Sequence, residues 1–274
     1  MVTLLGTGTP NLKDNQWGPS TLIGAGETNL LFDCGRGTLL RVKQAGINPT
    51  TISRVFLTHL HSDHIVGLPD LWLTGWELGR GKPLRIWGPE GTKSMTCYLR
   101  GAFSADIAGR QLQPESLSRA SAEIIAEDIQ ENVIYLANDV TVTSFLVDHG
   151  SFKPALGFRV DYQNISVVLS GDTRFSSSLV EHSREADVLI HNAWIAPEGS
   201  TVFQLVSSPE EAAHVFNLVN PKLAIISHYN TEEGLAAKIK QYYTGDFVVG
   251  RDLLKVKIVP GDTSTENQCI VLNG

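Results

Sequence analysis

The sequence predicts an α/β fold in which two sheets pack face to face and helices cover their outer faces. Three observations predict it. Apolar segments of strand length alternate with amphipathic segments of helical period, in two successive blocks. No linker, repeat or low-complexity stretch divides the chain, so residues 1–274 are expected to form a single domain. Six of the eight histidines fall where a predicted strand ends, which gathers them on one edge of the sheets. The 42% hydrophobic content supports a sizeable core.

Residues 2–5 read as a first strand, closed by the turn Gly6-Thr7-Gly8-Thr9-Pro10. That turn lacks the Lys-Ser/Thr pair of a phosphate loop and is expected to pass near the functional site. Residues 21–24 and 29–32 form a hairpin across Ala25-Gly26-Glu27, ending in Asp33-Cys34-Gly35. Residues 38–45 have a helical pattern stopped by Gly46 and Pro49. The apolar run Val55-Phe56-Leu57 then leads to Thr58-His59-Leu60-His61-Ser62-Asp63-His64. Leu68 opens a helix with Pro69 in its first turn, and Trp72 and Trp76 share a face read as core. Residues 84–87 are a short buried strand, and Pro89-Glu90-Gly91-Thr92 leads into a helix carrying Met95 and Leu99. Residues 104–131 are polar, alanine-rich and broken by Gly109 and Pro114; they are expected to be a helical insertion over one edge of the site.

Strands return at 133–136 and 140–147, the second ending at Asp148-His149-Gly150. Residues 165–169 are continuously apolar, as in a strand buried on both faces, and stop at Ser170-Gly171-Asp172-Thr173-Arg174. Residues 187–190 run into His191-Asn192-Ala193. Ser208, Pro209 and Glu211 spell a helix start, with Ser208 as cap and Glu211 completing a capping box. Ala212, Val215, Phe216 and Val219 then make one apolar face. Residues 223–226 are a last buried strand before Ser227-His228-Tyr229, with Tyr229 expected at the border of the pocket. His182 and His214 lie on helical segments and read as surface or packing residues.

The chemistry concentrates after Leu57, where three histidines and one aspartate fall within six residues. His59 and His61 share one side of an extended chain, while Asp63 and His64 turn away, so two neighbouring metals can each take a share. Imidazole with a hard carboxylate suits zinc and tolerates manganese or iron. His149 ends its strand facing the same cleft, with Asp148 pointing the other way. Asp172 can bridge two cations, one oxygen to each. Asp33 either orients the ligand loop by hydrogen bonding or caps its own turn. Cys34, Cys97 and Cys269 are odd in number, lack zinc-ribbon spacing and read as buried thiols.

The string His-x-His-x-Asp-His after a buried strand resembles the signature of the metallo-β-lactamase superfamily of hydrolases. The likeness continues through Asp33-Cys34-Gly35, residues 153–159 after His149, Ser170-Gly171-Asp172-Thr173-Arg174, and His228. It is nearest to the branch holding the tRNA 3′-processing endonucleases and the zinc aryl- and alkylsulfatases. The resemblance implies a four-layer αββα sandwich and a centre of two zinc ions. His59, His61 and His149 would hold one ion; Asp63, His64 and His228 would hold the other, with Asp172 bridging. It also implies a hydroxide shared by the metals, oriented by Asp63. Where relatives show His-Glu-Ala, this chain has His191-Asn192-Ala193. His191 is then a proton donor, a hydrogen-bonding partner outside the ligand set, or a structural histidine. Arg174 either pairs with a nearby acid or meets an anionic substrate.

The first expectation is a dinuclear hydrolase of a small ester: a sulfate, a phosphodiester, or a carboxyl ester or lactone. A tRNA 3′-endonuclease is the alternative. Against it, Val206 stands where that family has a catalytic histidine, and no glycine-rich basic arm is present. The net charge of −7 also argues against nucleic acid as a partner. Amide hydrolysis of the β-lactamase type is a further alternative, as is a non-hydrolytic di-iron or ligand-binding relative. Di-iron members place a glutamate where His61 stands, and a dead relative should have lost ligands. No apolar run approaches membrane-spanning length. A homodimer stays open, and the expected location is cytoplasmic, or exported with a leader already removed.

Overall fold

The computed structural model describes residues 1–112, 118–261 and 267–272. Its strands, in chain order, are β1 (Val2–Gly6), β2 (Ser20–Ala25), β3 (Thr28–Phe32), β4 (Arg54–Phe56), β5 (Leu84–Gly88) and β6 (Ile124–Asp128), followed by β7 (Asn132–Ala137), β8 (Val140–Leu146), β9 (Leu156–Tyr162), β10 (Ile165–Leu169), β11 (Val188–Asn192), β12 (Leu223–Ser227) and β13 (Phe247–Val249). The chain closes with β14 (Lys255–Val259) and β15 (Gln268–Leu272). The helices are α1 (Thr38–Gln44), α2 (Ser62–Ile65), α3 (Leu68–Glu77), α4 (Thr92–Ala102), α5 (Ser104–Gln111), α6 (Ser177–His182), α7 (Pro209–Val219) and α8 (Leu235–Lys240).

Among the described residues the strands form two sheets, ordered β15-β14-β1-β2-β3-β4-β5-β6 and β13-β12-β11-β10-β9-β8-β7. Each sheet is antiparallel at one end and parallel at the other. The parallel runs are β3 to β6 and β10 to β13. Parallel strands need crossovers, and α3, α6 and α7 lie in them, as the alternation of apolar segments requires.

Side-chain alternation then sorts the core into layers. Phe32, Phe56, Phe158, Leu169, Ile190 and Ile225 meet between the sheets. The opposite faces carry helices: Val55 and Leu57 pack with Val42, Trp72 and Trp76, whereas Leu189, Ala224 and Ile226 pack with Ala212, Phe216 and Ile239. Helix, sheet, sheet and helix make the expected four layers. Both tryptophans are buried and donate their indole N–H to backbone, Trp72 to Ala122 O at 2.8 Å and Trp76 to Ser118 O at 3.2 Å. Ser208 and Glu211 form the capping box that opens α7.

The stretch 104–131 departs from a helical insertion. Residues Ser104–Gln111 are helical, but Ile124–Asp128 is strand β6, pairing parallel with β5 at the sheet edge. Pro114 lies outside the described residues. Ile124 and Ala126 pack towards α4 and α3, and that sheet-edge burial is what a polar, alanine-rich composition hides. The cysteines also differ from expectation, since Cys34 is buried but Cys97 is exposed and Cys269 half-buried. No helix among the described residues is long and apolar enough to cross a membrane.

Candidate metal centre

Strand β4 ends at Phe56, and the following loop is stapled to the turn after β3. Asp33 sits at φ +56°, a left-handed conformation that turns its carboxylate beneath the loop. That carboxylate accepts from Thr58 N at 2.8 Å, from Thr58 Oγ1 at 2.9 Å and from His64 Nδ1 at 2.8 Å. Cys34 N donates to His64 O at 2.7 Å, and Gly67 N donates to Cys34 O at 2.9 Å. Gly35 permits this closeness, because a Cβ there would lie 2.6 Å from Asp63 O. Ser62–Ile65 is a single helical turn that carries Asp63 and His64 into the second donor group, while the His64 ring stays 4.1 Å from that of His59. Of the two readings of Asp33, the hydrogen bonds support the orienting one.

The other candidates arrive singly. His149 follows β8, Asp172 follows β10 and His228 follows β12, each at the C-terminal end of its strand. Gly171, at φ +62°, brings the β10 end against the motif loop; a Cβ there would lie 3.0 Å from Thr58 Cβ. His59, His61, His149 and Asp172 have donor atoms within 4.8 Å of one another, and so do Asp63, His64 and His228. Asp172 also reaches the second group, with Oδ2 3.6 Å from both His64 Nε2 and His228 Nε2. The structure thus gathers all seven residues, with Asp172 between the two groups.

The donor chemistry fits a pair of cations. His59 Nδ1–H donates to Thr58 Oγ1 at 2.9 Å, His64 Nδ1–H to Asp33, and His149 Nδ1–H to Leu205 O at 2.7 Å. Each acceptor fixes a tautomer whose Nε2 carries a lone pair. The lone pairs of His59 and His149 converge on His61, with His59 Nε2 2.8 Å and His149 Nε2 3.3 Å from His61 Nδ1, and His64 Nε2 lies 3.3 Å from His228 Nε2. Asp172 Oδ1 is buried without a hydrogen-bond partner. Facing lone pairs and an orphaned carboxylate oxygen are the signature of a site that a cation completes. Burial, reinforced by neighbouring His64, pushes His59 well below the usual imidazole range. Burial would do the same to His64, but Asp33 and Asp172 outweigh it and hold that ring well above the usual range, so its Nε2 keeps a proton until a cation displaces it. Burial opposes ionisation of Asp172 too, yet His228 and His64 hold its carboxyl well below the usual carboxylate range.

His191 does not join this group. Val188 and Ile190 of β11 face the other sheet and Leu189 faces the helices, so alternation turns His191 towards α7. Its ring lies 6.0 Å from Phe216, and it is buried. Nδ1 meets Asn192 Oδ1 at 3.1 Å and Ser170 Oγ at 3.4 Å, while none of the seven candidate ligands is within hydrogen-bond reach. Burial pushes its pKa down to about 4. The ring nevertheless lines the same small cavity as His64, Asp172 and His228, with its Nε2 buried and unpartnered. Tyr229 likewise turns inward, with its hydroxyl on Gly250 O at 2.8 Å. Cys34 is buried and its thiol is raised by burial, which rules out an activated nucleophile. Asp148 points away from the centre, as alternation requires, and pairs with Arg174 at 2.6 Å.

Four contributors escape the sequence reading. Thr58 relays His59 to Asp33, and its hydroxyl beside the first histidine was the available signal. Phe152 lies against His61 with ring centroids 3.6 Å apart, and Trp194 stacks on His228 at 5.8 Å. Each lies three residues after a singled-out histidine, His149 and His191 respectively. Leu205 acts through its carbonyl, for which no side-chain signal exists.

Comparison with known proteins places this geometry among its relatives. The family described as "Anti-Pycsar protein Apyc1" matches residues 1–219. A protein of Mycobacterium sp. (strain KMS) named ribonuclease Z is 36% identical over 95% of this chain and 96% of its own length. The ribonuclease Z of Mycobacterium avium is 34% identical over 94% and 98%. Among solved structures, the metallo-β-lactamase-fold protein YhfI of Bacillus subtilis superposes with a TM-score of 0.73 at 18% identity, covering 92% of this chain and 96% of that one. The short form of human tRNase Z gives 0.72 at 20% identity over 92% and 96%. A diphosphatase of the PhnP family gives 0.70 at 18% identity over 92% and 95%.

Proposed function

The chain belongs to the family described as Anti-Pycsar protein Apyc1 and, with its ribonuclease Z relatives, to the metallo-β-lactamase-fold hydrolases, and from that premise we propose that it is a metal-dependent phosphodiesterase. We take residues 1–274 to act as one hydrolase unit in the cytoplasm. The first reading is cleavage of precursor RNA at the 3′ side of a tRNA. The observation that carries it is 36% identity to a ribonuclease Z along 95% of the chain. This reverses the order expected from sequence, where a small ester came first and nucleic acid was set aside. Charge and one missing histidine weigh less than likeness along the whole chain.

His59, His61 and His149 would hold one metal ion, Asp63, His64 and His228 the other, with Asp172 shared. Two zinc ions, or manganese or iron, supply Lewis acidity and lower the pKa of water to about 7. The protein's own part is to orient and to move protons. Asp63, whose Oδ2 is 3.3 Å from His228 Nε2, is the carboxylate placed to align the attacking water. Asp33, Thr58 and Leu205 hold the imidazoles in the tautomers that expose Nε2.

A specific observation favours a second reading, a small phosphodiester with a good leaving group. Val206 is buried at 3% exposure where the endonucleases carry a histidine, and His191 makes no hydrogen bond to a candidate ligand. The leaving oxygen then lacks the endonucleases' histidine as its proton donor, a loss worth about 10²–10⁴ in rate. The deciding experiment offers the zinc-supplemented protein a precursor tRNA with a 3′ extension and, separately, bis(4-nitrophenyl) phosphate. Site-specific RNA cleavage establishes the first reading; turnover of the aryl diester with intact RNA establishes the second.

A further inference from the structure

We propose that Phe152 is the platform on which the substrate stacks a flat, base-like group beside the metal centre, making it a specificity-determining residue for nucleotide phosphodiesters; this rests on the phosphodiesterase reading. The imidazoles stand in a row. Ring centroids are 4.6 Å apart from His61 to His59, 4.1 Å from His59 to His64 and 5.0 Å from His64 to His228. Phe152 closes one end, 3.6 Å from His61, 6.1 Å from His59 and 6.0 Å from His149. Trp194 closes the other, 5.8 Å from His228.

The two ends are built differently. Trp194 is half-buried, its indole Nε1 lies 3.3 Å from His228 Nδ1, and its backbone N–H donates to Ser207 O at 2.9 Å. It is part of the wall. Phe152 is 39% exposed and belongs to none of the three apolar cores; the rings around it are the candidate ligands themselves. Leaving a phenyl ring in water forgoes burial that nearby core positions obtain, so its exposure at this place calls for an occupant. The loop that presents it is fixed. Gly150 has φ +62°, and a Cβ there would lie 2.3 Å from Gln204 O, while Phe152 N–H donates to His149 O at 3.1 Å. A rigid loop holding an exposed aromatic ring beside a phosphate-cleaving centre is a stacking platform, and every nucleobase offers a π-face to it.

Calorimetric titration of the zinc-supplemented protein with adenosine 5′-monophosphate and with ribose 5-phosphate tests this without relying on turnover. The wild type should hold the nucleotide about tenfold tighter than the sugar phosphate. Phe152→Ala should bring the two to equal affinity, with zinc content and ribose 5-phosphate binding unchanged, and Phe152→Trp should keep the preference. Equal affinities in the wild type, or a preference surviving in Phe152→Ala, would overturn the assignment. So would loss of zinc in Phe152→Ala, because the ring would then be a shield for the ligands. A Phe152-dependent preference in a protein that cleaves no phosphodiester would keep the platform and remove the proposed function.

Discussion

The two halves of the metal centre are braced by acids in opposite surroundings. On the motif side, Asp33 is 6% exposed and ties together Thr58 and His64. On the other side, Asp148 and Arg174 pair across the loops carrying His149 and Asp172, with side chains 34% and 46% exposed. Arg174 N also donates to Asp148 O at 3.0 Å, so backbone already joins those loops. A buried carboxylate that satisfies three donors cannot be replaced by water. An exposed pair can. The same task therefore carries very different free energies on the two sides.

The largest effect should come from cutting the residue that both sides share. Asp172→Ala removes the candidate carboxylate that reaches both groups and should lower kcat/KM by about 10³ or more. Elemental analysis should find two metals per chain in the wild type and one or none in the variant. Two tightly held metals in Asp172→Ala would show that the sides are independent.

Next comes the buried brace. Asp33→Ala strands Thr58 N, Thr58 Oγ1 and His64 Nδ1 as buried donors, at a cost of about 3 kcal/mol or more. Metal affinity should fall about 10–100-fold as His59 and His64 lose their fixed tautomers. Urea unfolding and competition with a chelator measure the two effects separately. A variant with native stability would mean that Asp33 merely caps its turn.

The same asymmetry explains what was legible in the sequence. The motif side is local: four ligand residues follow one buried strand within six positions, so residue type and spacing sufficed. The other side is assembled by register. His149, Asp172 and His228 come together only because β8, β10 and β12 end on the same edge of one sheet. From sequence they needed the resemblance as well as their strand ends. His191 had the same strand-end appearance as they did, and only alternation along β11 turns it to the helices. Strand β9 was not assigned, although Leu156, Phe158 and Val160 alternate towards the inter-sheet core, because the segment was read only as the sequel to a ligand. Strands β13, β14 and β15 are not legible in the sequence; β13 and β15 are half-buried sheet edges and β14 sits between β15 and β1, so the apolar pattern is diluted.

His191 sharpens the comparison through pH. Burial holds its native pKa at about 4 against 6.5 in an exposed chain. Between those values the unfolded chain binds a proton that the native chain does not. Its contribution to stability is complete above pH 6.5 and is lost as pH falls towards 4. Metal-free wild type and His191→Leu, unfolded in urea at pH 7 and pH 5, should differ in pH sensitivity by about 2 kcal/mol, the variant losing less. Equal sensitivities would mean that the ring reaches solvent or a carboxylate on acidification. The leaving-group dependence of aryl ester hydrolysis should be the same in both proteins if the ring only packs; a steeper dependence in His191→Leu would make it the proton donor.

The smallest effect belongs to the exposed brace. The Arg174 guanidinium holds the Asp148 carboxyl below the usual carboxylate range, and the pair is short at 2.6 Å. Exposed pairs nevertheless return only about 0–1 kcal/mol, because water solvates both partners once they part. Thr173 Oγ1 accepts from Asp148 N at 3.1 Å, and Asp148 O receives Arg174 N, and neither bond needs the Arg174 side chain. Arg174→Ala should therefore cost less than about 1 kcal/mol, and the difference should shrink further in 1 M salt. Metal content should not change, and kcat/KM should stay within about threefold of wild type. If Arg174 meets the substrate's anionic group instead, KM should rise about tenfold while stability and metal content hold, because the variant would lose a charge that only the substrate uses.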